Sequence, residues 1–164
     1  MSVGESSSGE WVLLSYRMPR EPSSPRIALW RKLKRLGVAQ ISDGLVALPA
    51  DARTREHLEW LADEAVQGGG SAAIWIARPA AAAQERELAA GMAEARAAEY
   101  RAVLDAAAAA VELTEAERAA VARRLRSELR RINRRDYFPP SEREQARRAV
   151  AGLQDSSAAE AVGS

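Results

Sequence analysis

The chain has 164 residues, 47% hydrophobic but only 5% aromatic, which suits one helix-dominated core with an appendage rather than two full domains. With no cysteine and a single histidine, it excludes disulfides, thiolate catalysis and thiolate metal sites, and leaves most histidine-based metal and triad schemes without their residues. The net charge of +1 conceals a strong segregation: seven basic residues against Glu21 alone between Trp11 and Gly37, eight arginines against three glutamates between Glu115 and Arg135, and acids gathered from Asp51 to Glu64.

Residues 1 to 10 are Ser/Gly-rich, bury too little apolar surface to offset ordering entropy, and are expected to be a disordered leader. Trp11 to Tyr16 is a short, bulky, apolar run that predicts a buried strand, and Pro19 and Pro22 prevent its continuation. Ser24-Pro25 is a helix start, a capping hydroxyl followed by proline at the first helical position. Ile27, Trp30, Leu33 and Leu36 then recur at helical spacing up to Gly37. Between Val38 and Leu48, Asp43-Gly44 predicts a hairpin whose two turn positions both take positive φ. From Asp51 to Gln67 the spacing sets Leu58, Leu61, Ala62 and Ala65 on one helical face, and Gly68-Gly69-Gly70 offers left-handed stops. Ala72 to Ala77 is a further apolar strand.

That order predicts an α+β fold, a ferredoxin-like βαββαβ sandwich over residues 11–79 that holds all four tryptophans. From Ala80 alanine dominates, which predicts an all-α C-terminal extension of about three helices, residues 80–153, packed on the sandwich. Their approximate bounds are Ala81 to Val111, Glu115 to Arg135 and Ser141 to Leu153, with Thr114 to Glu117 as a capping box and Pro139-Pro140 as a break. Residues 154–164 are expected to be a disordered tail. No apolar run approaches the roughly 20 residues of a membrane span, and Met1 to Glu10 lacks the apolar stretch of a secretion signal. A cytoplasmic protein without a membrane partner is the expectation.

Two basic sets carry the functional expectation. Arg17, Arg20 and Arg26 bracket a loop that runs into a helix start at Ser24, where unpaired amides and the helix dipole favour an anion such as a tetrahedral oxyanion or a phosphate. The alternative is a solvated basic surface whose arginines pair with the acidic second helix. Along the Arg-rich helix from Glu115 to Arg135, Val121, Leu125, Leu129 and Ile132 form an apolar stripe. Arg123, Arg126, Arg130 and Arg134 lie on one flank, Arg124, Arg131 and Arg135 on another, a geometry suited to a phosphate backbone. Arg31, Lys32, Lys34 and Arg35 join that DNA-binding set, whose alternative is solvated faces pairing with glutamates. His57 lacks a second histidine or cysteine to complete a metal site, and the end of the first strand carries no carboxylate for a nuclease metal. No catalytic residue, metal or cofactor is expected, and an enzyme is disfavoured.

The chain resembles the N-terminal domain of the chromate-resistance regulator family (ChrB). The resemblance is carried by Tyr16-Arg17-Met18-Pro19-Arg20-Glu21-Pro22-Ser23-Ser24-Pro25-Arg26, by Leu29 to Gly37, by Asp43-Gly44 with Leu48-Pro49, and by Arg135-Asp136-Tyr137-Phe138. It implies a homodimeric, chromate-responsive transcriptional regulator that binds the operator of a chromate-efflux operon, with chromate as effector near Arg17, Arg20, Ser24 and Arg26. Longer members of that family carry a further C-terminal domain. The competing expectation is a non-catalytic protein-interaction module with a basic docking face.

Overall fold

The computed structural model describes the backbone of residues 9–162 and the side chains of residues 9–154. Residues 1–8 of the expected leader, and residues 163 and 164 of the expected tail, lie outside the described residues. The elements run β1 (Trp11–Arg17), α1 (Ser24–Leu36), β2 (Ala39–Ser42), β3 (Leu45–Pro49), α2 (Ala52–Gln67), β4 (Ser71–Ala77), α3 (Ala82–Ala110), α4 (Glu115–Arg134) and α5 (Glu142–Val162). Among the described residues the fold is therefore α+β, with five helices and one four-stranded antiparallel sheet in the order β2-β3-β1-β4. Contacts divide the chain into two compact units, up to Ala89 and from Ala90, a boundary inside α3.

In the first unit, β1 is central because it is apolar on both faces, and it pairs with β3 (Val12 opposite Leu48) and β4 (Leu14 opposite Ile74). Cross-strand partners share a face, so Val12, Leu14, Val46 and Leu48 stack together, all fully buried. Leu29 and Leu33 of α1 and Leu58, Leu61 and Ala65 of α2 complete that core. The apolar stripe expected on α1 is thus rotated: Leu29 replaces Ile27 and Trp30 in the core, and Ile27 is 42% exposed.

Local chemistry sets the element ends. Helix α1 is capped by Ser23 rather than Ser24, and the Ser23 side chain makes no capping bond. Gly37 closes the helix in the left-handed conformation (φ 76°), its amide donating to the Lys34 carbonyl. The hairpin turn departs from the expected form, because only Gly44 takes positive φ (73°). A register shift between Gln40 and Ser42 absorbs the extra residue, so Asp43 stays in ordinary backbone space. A reciprocal capping box joins Asp51 and Thr54 at the start of α2. Of the three glycines after α2, only Gly69 is left-handed (φ 89°).

The second unit is helical. Tyr100, Val103, Ala107 and Ala110 of α3 pack with Ala122, Leu125, Leu129 and Ile132 of α4 and with Ala146, Val150 and Leu153 of α5. Small side chains at these positions let the helix axes approach closely. Thr114 and Glu117 form the expected capping box of α4. Helix α5 continues through residues 154–162, which the sequence placed in a tail; the strong helix formers Ala158, Ala159, Glu160 and Ala161 propagate it.

Candidate functional site

A cleft of about 1010 Å³ opens where the end of β1, the loop after it, one face of α1 and the β2–β3 turn meet. Five cations line it: Arg17 and Arg20 from the strand end and loop, and Arg26, Arg31 and Lys34 from α1. Against them stand two carboxylates, Glu21 and Asp43. Positions 26, 30 and 34 and positions 27, 31 and 34 form two adjacent rows with steps of three or four, and so share a helix face. That face therefore presents Ile27 and Trp30 to the cleft between its cations. The Lys34 ammonium sits 5.5 Å from the centre of the Trp30 ring, within cation–π range.

Two glycines hold the strand end that forms one wall. The Tyr16 amide donates to the Gly44 carbonyl at 2.8 Å, and a Cβ at Gly44 would come within 2.5 Å of the Tyr16 carbonyl oxygen. At Gly70, a Cβ would collide with the Arg17 carbonyl oxygen. Successive carbonyls of β1 are thus gripped by backbone that only glycine permits. Burial pushes the Tyr16 phenol above its ordinary pKa, and the negative charge of Asp43 adds to the shift. The first turn of α1 contains no acid and no side-chain cap, so its free amides are not internally neutralised.

The predicted site residues separate by surroundings. Arg17, Arg20 and Arg26 come together in the cleft, joined by Arg31 and Lys34 from the set assigned to DNA. Ser24 is exposed but does not line it; Ser23 does. Lys32 points elsewhere and pairs with Glu64 of α2, as the alternative of pairing with the acidic helix anticipated for this one residue. Arg35 is exposed outside the cleft lining. Among the described residues, no ion pair involves Arg17, Arg20, Arg26 or Arg31, whereas Arg55, Arg78 and Arg101 all have acidic partners.

On α4 the two flanks differ. Arg131 pairs with Glu128 at 3.0 Å, and Arg135, mostly buried, pairs with Glu99 of α3. Arg124 lines a separate shallow depression beside Glu99 and Glu128. On the other flank Arg123, Arg130 and Arg134 are exposed and Arg126 is half-buried; Arg130 donates only to the neutral Ser127 hydroxyl, at 2.9 Å. This flank keeps its charge open, while the first is largely spent on acids.

The sequence gives no warning of a buried polar cluster in the second unit. The Tyr100 hydroxyl lies 2.6 Å from Asp136 Oδ2 and 2.8 Å from Asn133 Oδ1, and its single proton goes to the carboxylate. The Asp136 side chain is fully buried and also faces Arg143 at 3.5 Å. Arg96 and Glu99 pair beside it at 2.9 Å. Burial, then the bond to Asp136 and its charge, raise the Tyr100 pKa well above the ordinary tyrosine value. Asp136 belongs to the Arg135-to-Phe138 stretch that carried the resemblance, but its partner Tyr100 lies 36 positions upstream in α3, beyond any local signal.

His57 is half-buried with its ring 6.4 Å from that of Trp60. No three metal-ligating side chains gather among the described residues, and no helix there is long and apolar enough to cross a membrane.

Comparison with known proteins places these features in a family. A relative named Protein ChrB, from Cupriavidus metallidurans, is 32% identical over 143 residues, covering 79% of this chain and 40% of that protein. The chain therefore spans less than half the length of that curated relative. The family model described as Protein ChrB, N-terminal, matches residues 26–161, which include the cleft face of α1, all of α4 and the buried cluster. The chain belongs to the ChrB N-terminal family.

Proposed function

We propose that this chain is a chromate-responsive transcriptional regulator, non-catalytic and cytoplasmic, that acts by binding anions through arginines left unpaired on its surface. One observation carries this: five cations converge on the cleft while the arginines among them form no ion pair with the described residues. Unpaired cations held at one place repel each other, and an anionic ligand relieves that repulsion. Membership of the ChrB N-terminal family supports the chromate-resistance context. The effector chromate, a tetrahedral dianion, sits at Arg17, Arg20 and Arg26 beside the free amides of the first turn of α1. DNA lies along Arg123, Arg126, Arg130 and Arg134, which span about 16 Å of helix.

The strand order β2-β3-β1-β4 with all neighbours antiparallel supports the ferredoxin-like reading of the first unit. Self-association belongs to the same proposal. Strand β4 ends the sheet, has neither charge nor proline, pairs with β1 without a register break, and exposes Trp75 and Ile76. An edge so unprotected accepts a second strand readily.

Calorimetric titration with chromate and with sulfate tests the effector site. Heat that saturates in the wild type and falls at least tenfold in apparent affinity in Arg20→Ala is the expected result. Equal isotherms in both proteins would remove the loop arginines from the role.

A further inference from the structure

Chromate leaves most of the cleft unfilled. Taking a water's share of liquid volume as about 30 Å³, an ion of four oxygens occupies on the order of 100 Å³. The cleft holds about 1010 Å³, the size of a site for a much larger ligand. Beyond the three arginines assigned to chromate, cations continue along the helix. Arg26 to Lys34 is eight steps along α1, about 12 Å of axis. That length exceeds the reach of one tetrahedral ion and suits an extended chain of several phosphates.

Trp30 supplies what a simple polyanion site lacks. It is half-buried and lines the cleft one helical turn from Arg26 and one from Lys34, whose ammonium lies over its ring. Elsewhere in the lining the Gln40 amide and the Asp43 carboxylate offer a donor and acceptors at the hairpin. A basic groove that interleaves an aromatic face with cations is the arrangement by which proteins hold unpaired strands, phosphates on the cations and a base stacked on the ring. The shape of this position favours a single strand over a duplex. Grooves of DNA receive a protruding helix, whereas the face of α1 in question forms the wall of a concavity.

We propose that the cleft binds a single-stranded nucleic-acid segment, with successive phosphates on Arg17, Arg20, Arg26, Arg31 and Lys34 and one unstacked base on Trp30. The proposal rests on the cleft being an anion site. It adds a base-dependent component that neither chromate nor a bare phosphate chain supplies.

The test uses the 164-residue chain and fluorescence anisotropy of a labelled ten-residue oligo(dT), an abasic deoxyribose-phosphate strand of equal length, a mononucleotide and a duplex of the same length. Oligo(dT) is expected to bind at least tenfold more tightly than the abasic strand and the mononucleotide. Trp30→Ala should remove that advantage, by roughly 10- to 100-fold, while Trp30→Phe restores most of it at an unchanged thermal midpoint. Duplex binding should not respond to Trp30→Ala. Equal affinity for oligo(dT) and the abasic strand overturns the base contact but leaves the anion site standing. Equal affinity for the mononucleotide overturns the strand as the ligand. If neither strand binds and Arg20→Ala with Arg26→Ala changes nothing, the anion site itself fails and this proposal with it.

Discussion

Single atoms decide two sensitive places in this protein. At Gly44 a side chain brings both a left-handed backbone penalty and a collision with the Tyr16 carbonyl. Gly44→Ala is expected to lower stability by about 2–3 kcal/mol, seen as a lower denaturation midpoint in urea with an unchanged slope. At Tyr100 the hydroxyl satisfies a buried carboxylate, so Tyr100→Phe leaves Asp136 with one fewer donor and should cost about 1–3 kcal/mol. The pH dependence has a definite sign. Because the folded pKa of Tyr100 is raised, its contribution is complete below the ordinary value of about 10. It is lost as the pH rises above that value, since the unfolded chain ionises first. Thermal midpoints measured from pH 8 to 11 should therefore fall for the wild type, and fall less steeply for Tyr100→Phe. A steeper fall in the variant would contradict the assignment.

At the level of elements, the sequence marks ends better than faces. Gly37 and the Thr114–Glu117 box are legible because each acts within four residues of itself. Which side of α1 enters the core is not, because Ile27, Leu29, Trp30, Leu33 and Leu36 surround much of the helix and periodicity alone does not choose among them. The choice is made by Leu29 and Leu33 packing in the core, and it turns Trp30 towards the cations. The arginines of α4 show the same limit: their spacing is readable, but Glu99, which neutralises Arg135, lies on another helix. Strand β4 yields a prediction of its own. If its open edge joins two chains, Ile76→Lys should convert the dimer to monomer by light scattering while leaving the far-ultraviolet circular dichroism intact. A wild-type chain that is monomeric at high micromolar concentration would dispose of the idea.

For the molecule as a whole, a net charge of +1 says little about partners, because the open cations are concentrated in the cleft of the first unit and on one flank of α4 in the second. Local fields, not the total, govern association. Duplex binding through the four arginines of that flank should weaken with salt with a logarithmic slope near −3 to −4, about 0.9 per phosphate neutralised. Arg123→Ala combined with Arg130→Ala should flatten the slope by about 2 in a gel-shift series, whereas Arg131→Ala, already paired with Glu128, should barely change it. The clamp that Gly44 and Gly70 place on the end of β1 has a consequence for how such a chain can diversify. With that wall fixed to the sheet and α1 fixed by its core leucines, insertions or deletions between Met18 and Ser23 are the cheapest way to change the width of the opening. Ligand size can then drift by loop length alone, without repacking the core.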